Sequence, residues 1–130
     1  IPHSDGLANT ASTLANPIAV GNTVTFANGV DTIVGFEAGT GGDVLDLTNA
    51  GATLATGVGE NSGALTASKT LFLSGAYVSS TGVFTVAADG TGADTLLMQS
   101  DDANVSGTAA DSWILLVGVD SDNLVAANII

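Results

Sequence analysis

Residues 83–99 read V-F-T-V-A-A-D-G-T-G-A-D-T-L-L-M-Q, two short apolar or β-branched runs on either side of a Gly-rich segment. The runs Val83–Ala87 and Thr95–Gln99 have the length and the residue types of β-strands. Between them, Asp89-Gly90 provides residues that tolerate the positive φ of a tight turn. The segment therefore predicts a strand, a turn and a second strand.

The same pattern extends over most of the chain. It predicts further strands at Thr23–Ala27, Thr32–Phe36, Val44–Thr48, Thr70–Ser74 and Trp113–Val117. Turn signals stand at Asn28-Gly29, Gly39–Gly42, Ser74-Gly75 and Thr81-Gly82. The apolar C-terminal tail, Asn123–Ile130, predicts a last strand pinned to the sheet.

These patterns predict a mainly all-β fold: a single β-sandwich or β-roll-like domain with short strands and Gly-rich turns. The domain would span 23–130, preceded by a flexible N-terminal arm, 1–22, which carries both prolines. The segment Ala50–Ser68 has no clean period, so a short helix and a loop both fit it.

Charge is the sharpest feature of the composition. Thirteen acidic residues stand against one basic residue, Lys69, which gives a formal net charge of -12 in 130 residues. This balance excludes nucleic acid as a natural partner, because phosphate binding needs Lys and Arg. It also disfavours anionic membrane surfaces. Since like charges repel, we expect a saline or calcium-containing medium.

Cysteine is absent, which excludes disulfides and thiolate chemistry. A chain poor in Lys, Arg and Cys but rich in Gly, Thr, Asp and Ala is typical of bacterial secreted proteins, so we expect an extracellular or cell-surface location. No run reaches the roughly 18 apolar residues that a membrane helix needs, so the chain is not expected to be membrane-embedded. Because it begins with Ile1, we expect a processed or excised piece of a longer product.

Three aspartates each stand two residues before a large aliphatic residue: Asp31, Asp43 and Asp94. Two of them follow Gly-rich segments, where backbone carbonyls and a carboxylate can surround a hard cation. Calcium is therefore a candidate cofactor, and the candidate ligands are Asp43, Asp46, Asp94, Asp101 and Asp102. The alternative is that these aspartates cap turns and begin strands.

Two longer stretches support a family resemblance. Residues 29–47, G-V-D-T-I-V-G-F-E-A-G-T-G-G-D-V-L-D-L, resemble the segment that follows the glycine repeats of RTX-type bacterial proteins. Residues 93–98 and 110–119 resemble the closing hairpin of the same proteins. The resemblance implies a surface-layer protein, adhesin or toxin exported by the type I secretion machinery. The tandem glycine repeats of that family are missing.

Residues for catalysis are scarce. The one histidine, His3, stands beside Ser4 and Asp5, but a catalytic triad is assembled from separate elements of a rigid frame. One histidine without cysteine also argues against a zinc site. Trp113 and Tyr77 are expected in the core or in an interface. The chain is not expected to be an enzyme.

Two functions fit these observations. The first is a secreted structural module of a surface layer, filament or adhesin that forms a homo-oligomer or polymer through its terminal strands. The second is a calcium-dependent C-terminal secretion and folding cap of a larger type I-secreted protein. Both place the chain outside the cell.

Overall fold

The computed structural model describes residues 18–26, 30–46, 69–100 and 112–128. Within these ranges the chain forms six β-strands: β1 Thr23–Thr25, β2 Asp31–Val34, β3 Lys69–Val78, β4 Val83–Val86, β5 Asp94–Ser100 and β6 Ser112–Val117. Two 3₁₀ turns follow, at Ser121–Asn123 and Ala126–Asn128. The prediction of a mainly all-β fold is confirmed.

All six strands lie in one mixed sheet, in the order β1-β4-β3-β5-β6-β2. The inner pairs are antiparallel, with Leu73 opposite Leu96 and Leu96 opposite Leu115. The edge strand β2 runs parallel to β6, with Ile33 beside Leu116. Strands β1 and β2, which are close in sequence, therefore lie at opposite edges of the sheet.

Both faces of the sheet carry an apolar cluster, because successive side chains of a strand point to opposite faces. Leu96 and Leu97 are neighbours in β5 and belong to different clusters. The first-face cluster consists of Ile18, Val24, Phe26, Leu73, Phe84, Val86, Leu96, Met98, Trp113 and Leu115. The second-face cluster consists of Phe36, Leu45, Phe72, Leu97, Ile114, Leu116, Val119 and Leu124. Burial on both faces explains why the central strands are continuous apolar runs.

Two aromatic contacts organise the first-face cluster. The ring of Phe26 meets Trp113 edge-on, with 5.8 Å between the ring centroids. It meets Tyr77 in a similar way at 6.4 Å. Trp113 is buried, and the half-buried Tyr77 packs against the cluster. Both aromatic residues therefore contribute to the core.

The predicted turn at Ser74-Gly75 is wrong, because both residues lie inside β3. Glycine is needed here for close packing. A Cβ on Gly75 would lie 2.3 Å from the Thr85 carbonyl oxygen and 2.4 Å from the Phe84 ring. A Cβ on Gly92 would lie 2.2 Å from the Gly75 carbonyl oxygen. The backbones of β3 and its neighbours approach closely at this point.

The predicted strand Val44–Thr48 is also wrong over its described part, where Leu45 forms only an isolated bridge. The last strand predicted for Asn123–Ile130 is likewise wrong over 123–128, which contains 3₁₀ turns. The two errors have one cause. The backbone N–H of Leu45 donates to the carbonyl oxygen of Asn128 at 2.8 Å, so these segments bind each other outside the sheet.

The remaining sequence predictions fall partly outside the described residues. The turns at Gly39–Gly42, Thr81-Gly82 and Asp89-Gly90 are confirmed. The turn at Asn28-Gly29, the segment Ala50–Ser68 and residues 1–17 of the arm lie outside the described ranges. The described end of the arm packs on the sheet: Ile18 is buried, and the N–H of Gly21 donates to the Val86 carbonyl oxygen at 2.8 Å.

Candidate functional site

Asp94 stands at the start of β5 and is only 9% exposed. Its Oδ2 accepts a hydrogen bond from the Tyr77 N–H at 3.0 Å. Its Oδ1 accepts one from the Gly118 N–H, also at 3.0 Å. The carboxylate thus ties the end of β3 to the turn after β6, and both of its oxygens are engaged by backbone donors.

Asp43 closes the turn that covers one end of the second face. Its Oδ2 accepts from the Glu37 N–H at 2.9 Å, and its own N–H donates to the Glu37 carbonyl oxygen at 2.7 Å. The Gly42 N–H donates to the Gly39 carbonyl oxygen at 3.0 Å. Asp43 therefore stabilises the turn, as expected of an aspartate beside Gly-rich residues.

Asn128 holds this turn against the C-terminal segment and is 1% exposed. Its Nδ2 donates to the carbonyl oxygens of Gly39 at 3.1 Å and of Asp43 at 2.7 Å. Its Oδ1 accepts from the N–H groups of Gly39 at 2.9 Å and of Val125 at 3.0 Å. The side chain uses all of its ordinary donors and acceptors to hold the backbone.

The predicted calcium ligands are not brought together in the described ranges. Asp43 and Asp94 bind different parts of the backbone, and Asp46 is exposed. Asp101 and Asp102 lie outside the described residues. In the part of the chain that the structure describes, no three His, Cys, Asp or Glu side chains form a group able to hold a metal ion. Calcium binding stays a prediction.

A different set of aspartates does meet: Asp89, Asp120 and Asp122. The charge of Asp89 raises the pKa of Asp122 above its ordinary value of 3.8, and the charge of Asp120 adds to the rise. The Asp120 side chain accepts from the Asp122 N–H at 3.0 Å and caps the first 3₁₀ turn. The sequence pattern does not reveal this cluster, because only the fold brings Asp89 close to Asp122.

Buried hydroxyl groups also form hydrogen bonds that hold the fold together. Ser74 and Ser121 share a hydrogen bond between their Oγ atoms, and Gly90 donates its N–H to Ser74 Oγ at 3.2 Å. Thr95 Oγ1 donates to the Val119 carbonyl oxygen at 2.6 Å. These contacts join the turn after β4 and the segment after β6 to the central strands. His3, Ser4 and Asp5 lie outside the described residues.

A shallow cleft of about 240 Å³ opens beside the second-face cluster. Its lining consists of Phe36, Ala38, Gly39, Gly118, Val119, Asp120 and Asn123. The phenylalanine is buried, so the cleft offers no exposed aromatic face on which a ring could stack.

The most exposed large hydrophobic residue of the described ranges lies at the β2 edge of the sheet. Val34 is 77% exposed, and its neighbour in register on β6, Val117, is 37% exposed. Thr32 is also exposed and lies on the same face as Val34. We call Thr32, Val34 and Val117 the edge patch. It combines exposed apolar side chains with a strand that ends the sheet.

No helix in the described ranges has the length and apolar character needed to cross a membrane. In comparisons with known proteins, the chain matches no family model, no curated protein and no solved structure. The resemblance to RTX-type proteins therefore rests on the sequence motifs alone.

Proposed function

We propose that this chain is a structural module that self-associates outside the cell. The edge patch carries the proposal. An edge strand presents unpaired backbone N–H and C=O groups, and exposed apolar side chains beside them favour the addition of another strand. Val34 places such a side chain on β2.

The use of the polar residues supports a role without catalysis. Asp94, Asp43 and Asn128 form hydrogen bonds with backbone groups of turns and strand ends. The buried hydroxyls of Ser74 and Thr95 do the same. These side chains stabilise turns and strand ends, which is what a packing subunit requires.

The composition supports an extracellular location. Net charge of -12 keeps separate copies apart at low ionic strength, and screening by salt weakens this repulsion. A chain without cysteine also needs no particular redox environment. We therefore propose that export into a saline medium permits assembly.

Sedimentation velocity over a range of protein concentrations tests this function. We expect association that increases with protein concentration and with NaCl. A single monomeric species at every concentration and salt level would remove self-association from the account. Calcium and a chelator form a further pair of conditions, compared at equal ionic strength. If calcium is required and NaCl cannot replace it, the calcium-dependent cap becomes the better function.

A further inference from the structure

Strand β2 ends the six-stranded sheet and, in the described ranges, pairs only with β6. Natural proteins protect such an edge in several ways, among them lysine, proline, a bulge and a very short strand. The sequence of β2, D-T-I-V, contains neither lysine nor proline, and its four residues pair with β6 in unbroken register. Its single charge is Asp31, at the first position.

The edge patch distinguishes this strand from other exposed apolar positions. Val20, Val44 and Val78 are also exposed, but none of them lies on an edge strand of the described sheet. Val34 does, and Val117 beside it continues the apolar surface onto β6. Backbone pairing and apolar contact would therefore occur at the same place.

We infer that β2 pairs antiparallel with β2 of a second copy, joining two sheets into one of twelve strands; this inference rests on the proposed self-association. A strand edge is self-complementary when two copies are related by a two-fold axis perpendicular to the sheet. With the axis at Thr32, the two Thr32 side chains face each other. Val34 of each copy then lies opposite Val30 of the other.

This register keeps the charges of β2 from direct opposition. Asp31 of one copy lies opposite Ile33 of the other, and the two Asp31 residues are diagonal neighbours about 7–8 Å apart. Threonine pairs and apolar pairs across antiparallel strands are favourable contacts. Two repulsions oppose the pairing: the one between the two Asp31 carboxylates and the long-range one between two chains of net charge -12. Salt screens both, over about 10 Å at 0.1 M. The pairing therefore strengthens as salt is added.

Charge-matched variants test the edge. Val34→Asp places a carboxylate in the edge patch, whereas Val20→Asp makes the same charge change at another exposed valine, 62% exposed. We expect the wild type and Val20→Asp to sediment at 0.5 M NaCl with twice the 12.6 kDa mass of the chain. Val34→Asp should remain folded by circular dichroism, and its dimer should be at least tenfold weaker than that of the wild type.

A cross-link tests the register, since the chain has no cysteine of its own. Directly paired residues have Cβ atoms about 4.5–5.5 Å apart, close to the separation that a disulfide accepts. Mild oxidation of Thr32→Cys should therefore give a covalent dimer, whereas Val20→Cys should not.

The outcomes separate this inference from the proposed function. If the wild type is monomeric throughout, both fail. If the wild type associates while Val34→Asp and Val20→Asp associate equally and Thr32→Cys does not cross-link, self-association stands and the β2 pairing is overturned.

Discussion

Trp113 lies in the first-face cluster with 1% of its surface exposed, and its Nε1–H has no hydrogen-bond partner in the described structure. An indole in the core contributes a large apolar area, while an unpaired buried donor costs about 1–3 kcal/mol. At this residue the apolar area that the indole buries offsets the cost of its unpaired Nε1–H.

This balance predicts the effect of two substitutions. Trp113→Phe removes the unpaired donor together with part of the volume, so it should lower the free energy of unfolding by less than about 1.5 kcal/mol. Trp113→Ala removes the same donor together with nearly all of the side-chain volume and should cost about 3–5 kcal/mol. Chemical denaturation of both variants measures the difference. Equal losses would show that the indole N–H makes a contact that stabilises the fold.

Asp94 provides a second test at this scale. Asp94→Asn replaces one acceptor oxygen by a donor, so either the Tyr77 N–H or the Gly118 N–H loses its partner. We expect a loss of about 1–3 kcal/mol in the free energy of unfolding. The exposed Asp46→Asn makes the same chemical change and should stay within about 0.5 kcal/mol of the wild type. Similar values for both would contradict the role of Asp94 as a tie between strands.

At the scale of the elements, β3 runs unbroken through Gly75 because the neighbouring backbones leave no room for a side chain. A methyl group there must displace both the Thr85 carbonyl and the Phe84 ring, and both belong to strand β4. Because the closest atom belongs to the backbone and cannot rotate away, we expect a cost of about 3 kcal/mol or more.

Gly75→Ala should therefore lower the midpoint of thermal unfolding more than Gly41→Ala. Gly41 has a positive φ of 85° but open space around its Cα, so alanine there carries only the cost of the left-handed backbone, about 1–2 kcal/mol. Thermal unfolding followed by circular dichroism measures both variants. A Gly75→Ala protein as stable as the wild type would mean that β3 and β4 can separate at this point.

The elements differ in how well the sequence predicts them. Strands β4, β5 and β6 are found from their apolar and β-branched runs, since burial on a sheet is what such runs indicate. Gly75 leads to a wrong turn prediction, because a glycine needed for the close approach of two backbones has the same sequence signature as a turn glycine. The C-terminal segment misleads as well: the contacts of Asn128 with Gly39 and Asp43 cross more than 80 positions of sequence.

Local sequence predicts the role of some residues of the candidate site but not of others. Asp43 and Asp94 follow the local rule that aspartate caps turns and begins strands, which was the alternative to calcium binding. The cluster of Asp89, Asp120 and Asp122 depends on tertiary contacts, so local spacing could not predict it. The edge patch is equally hidden in the sequence, since the position of β2 in the sheet follows from its parallel pairing with β6.

For the whole molecule, negative charge opposes both folding and association. The repulsion of Asp122 by Asp89 and Asp120 is a local example of this effect. The pKa of Asp122 is raised in the folded chain. Asp122 therefore binds more protons in the folded chain than in the unfolded chain at pH values from just below 3.8 to just above the raised value. The contribution of Asp122 to the free energy of unfolding therefore falls as the pH rises through that window, and the repulsion is fully present above it.

Asp122→Asn should remove this repulsion. We expect the variant to be more stable than the wild type at pH 7 and to differ little from it below pH 3. Its advantage at pH 7 should shrink as NaCl is added, because salt screens exposed charges. Asp46→Asn is the control with the same change in net charge. An equal gain from both variants would assign the effect to net charge rather than to the cluster.

Hydrogen–deuterium exchange, followed as the protein concentration is raised, tests most directly the claim that this β-rich module assembles through its sheet edge. Amides of 31–34 that do not bond to β6 should exchange quickly in dilute protein and slow down as association proceeds, while the turn at 20–21 keeps its rate. If association proceeds and the exchange of 31–34 does not change, the edge of β2 is not the surface through which the chain assembles.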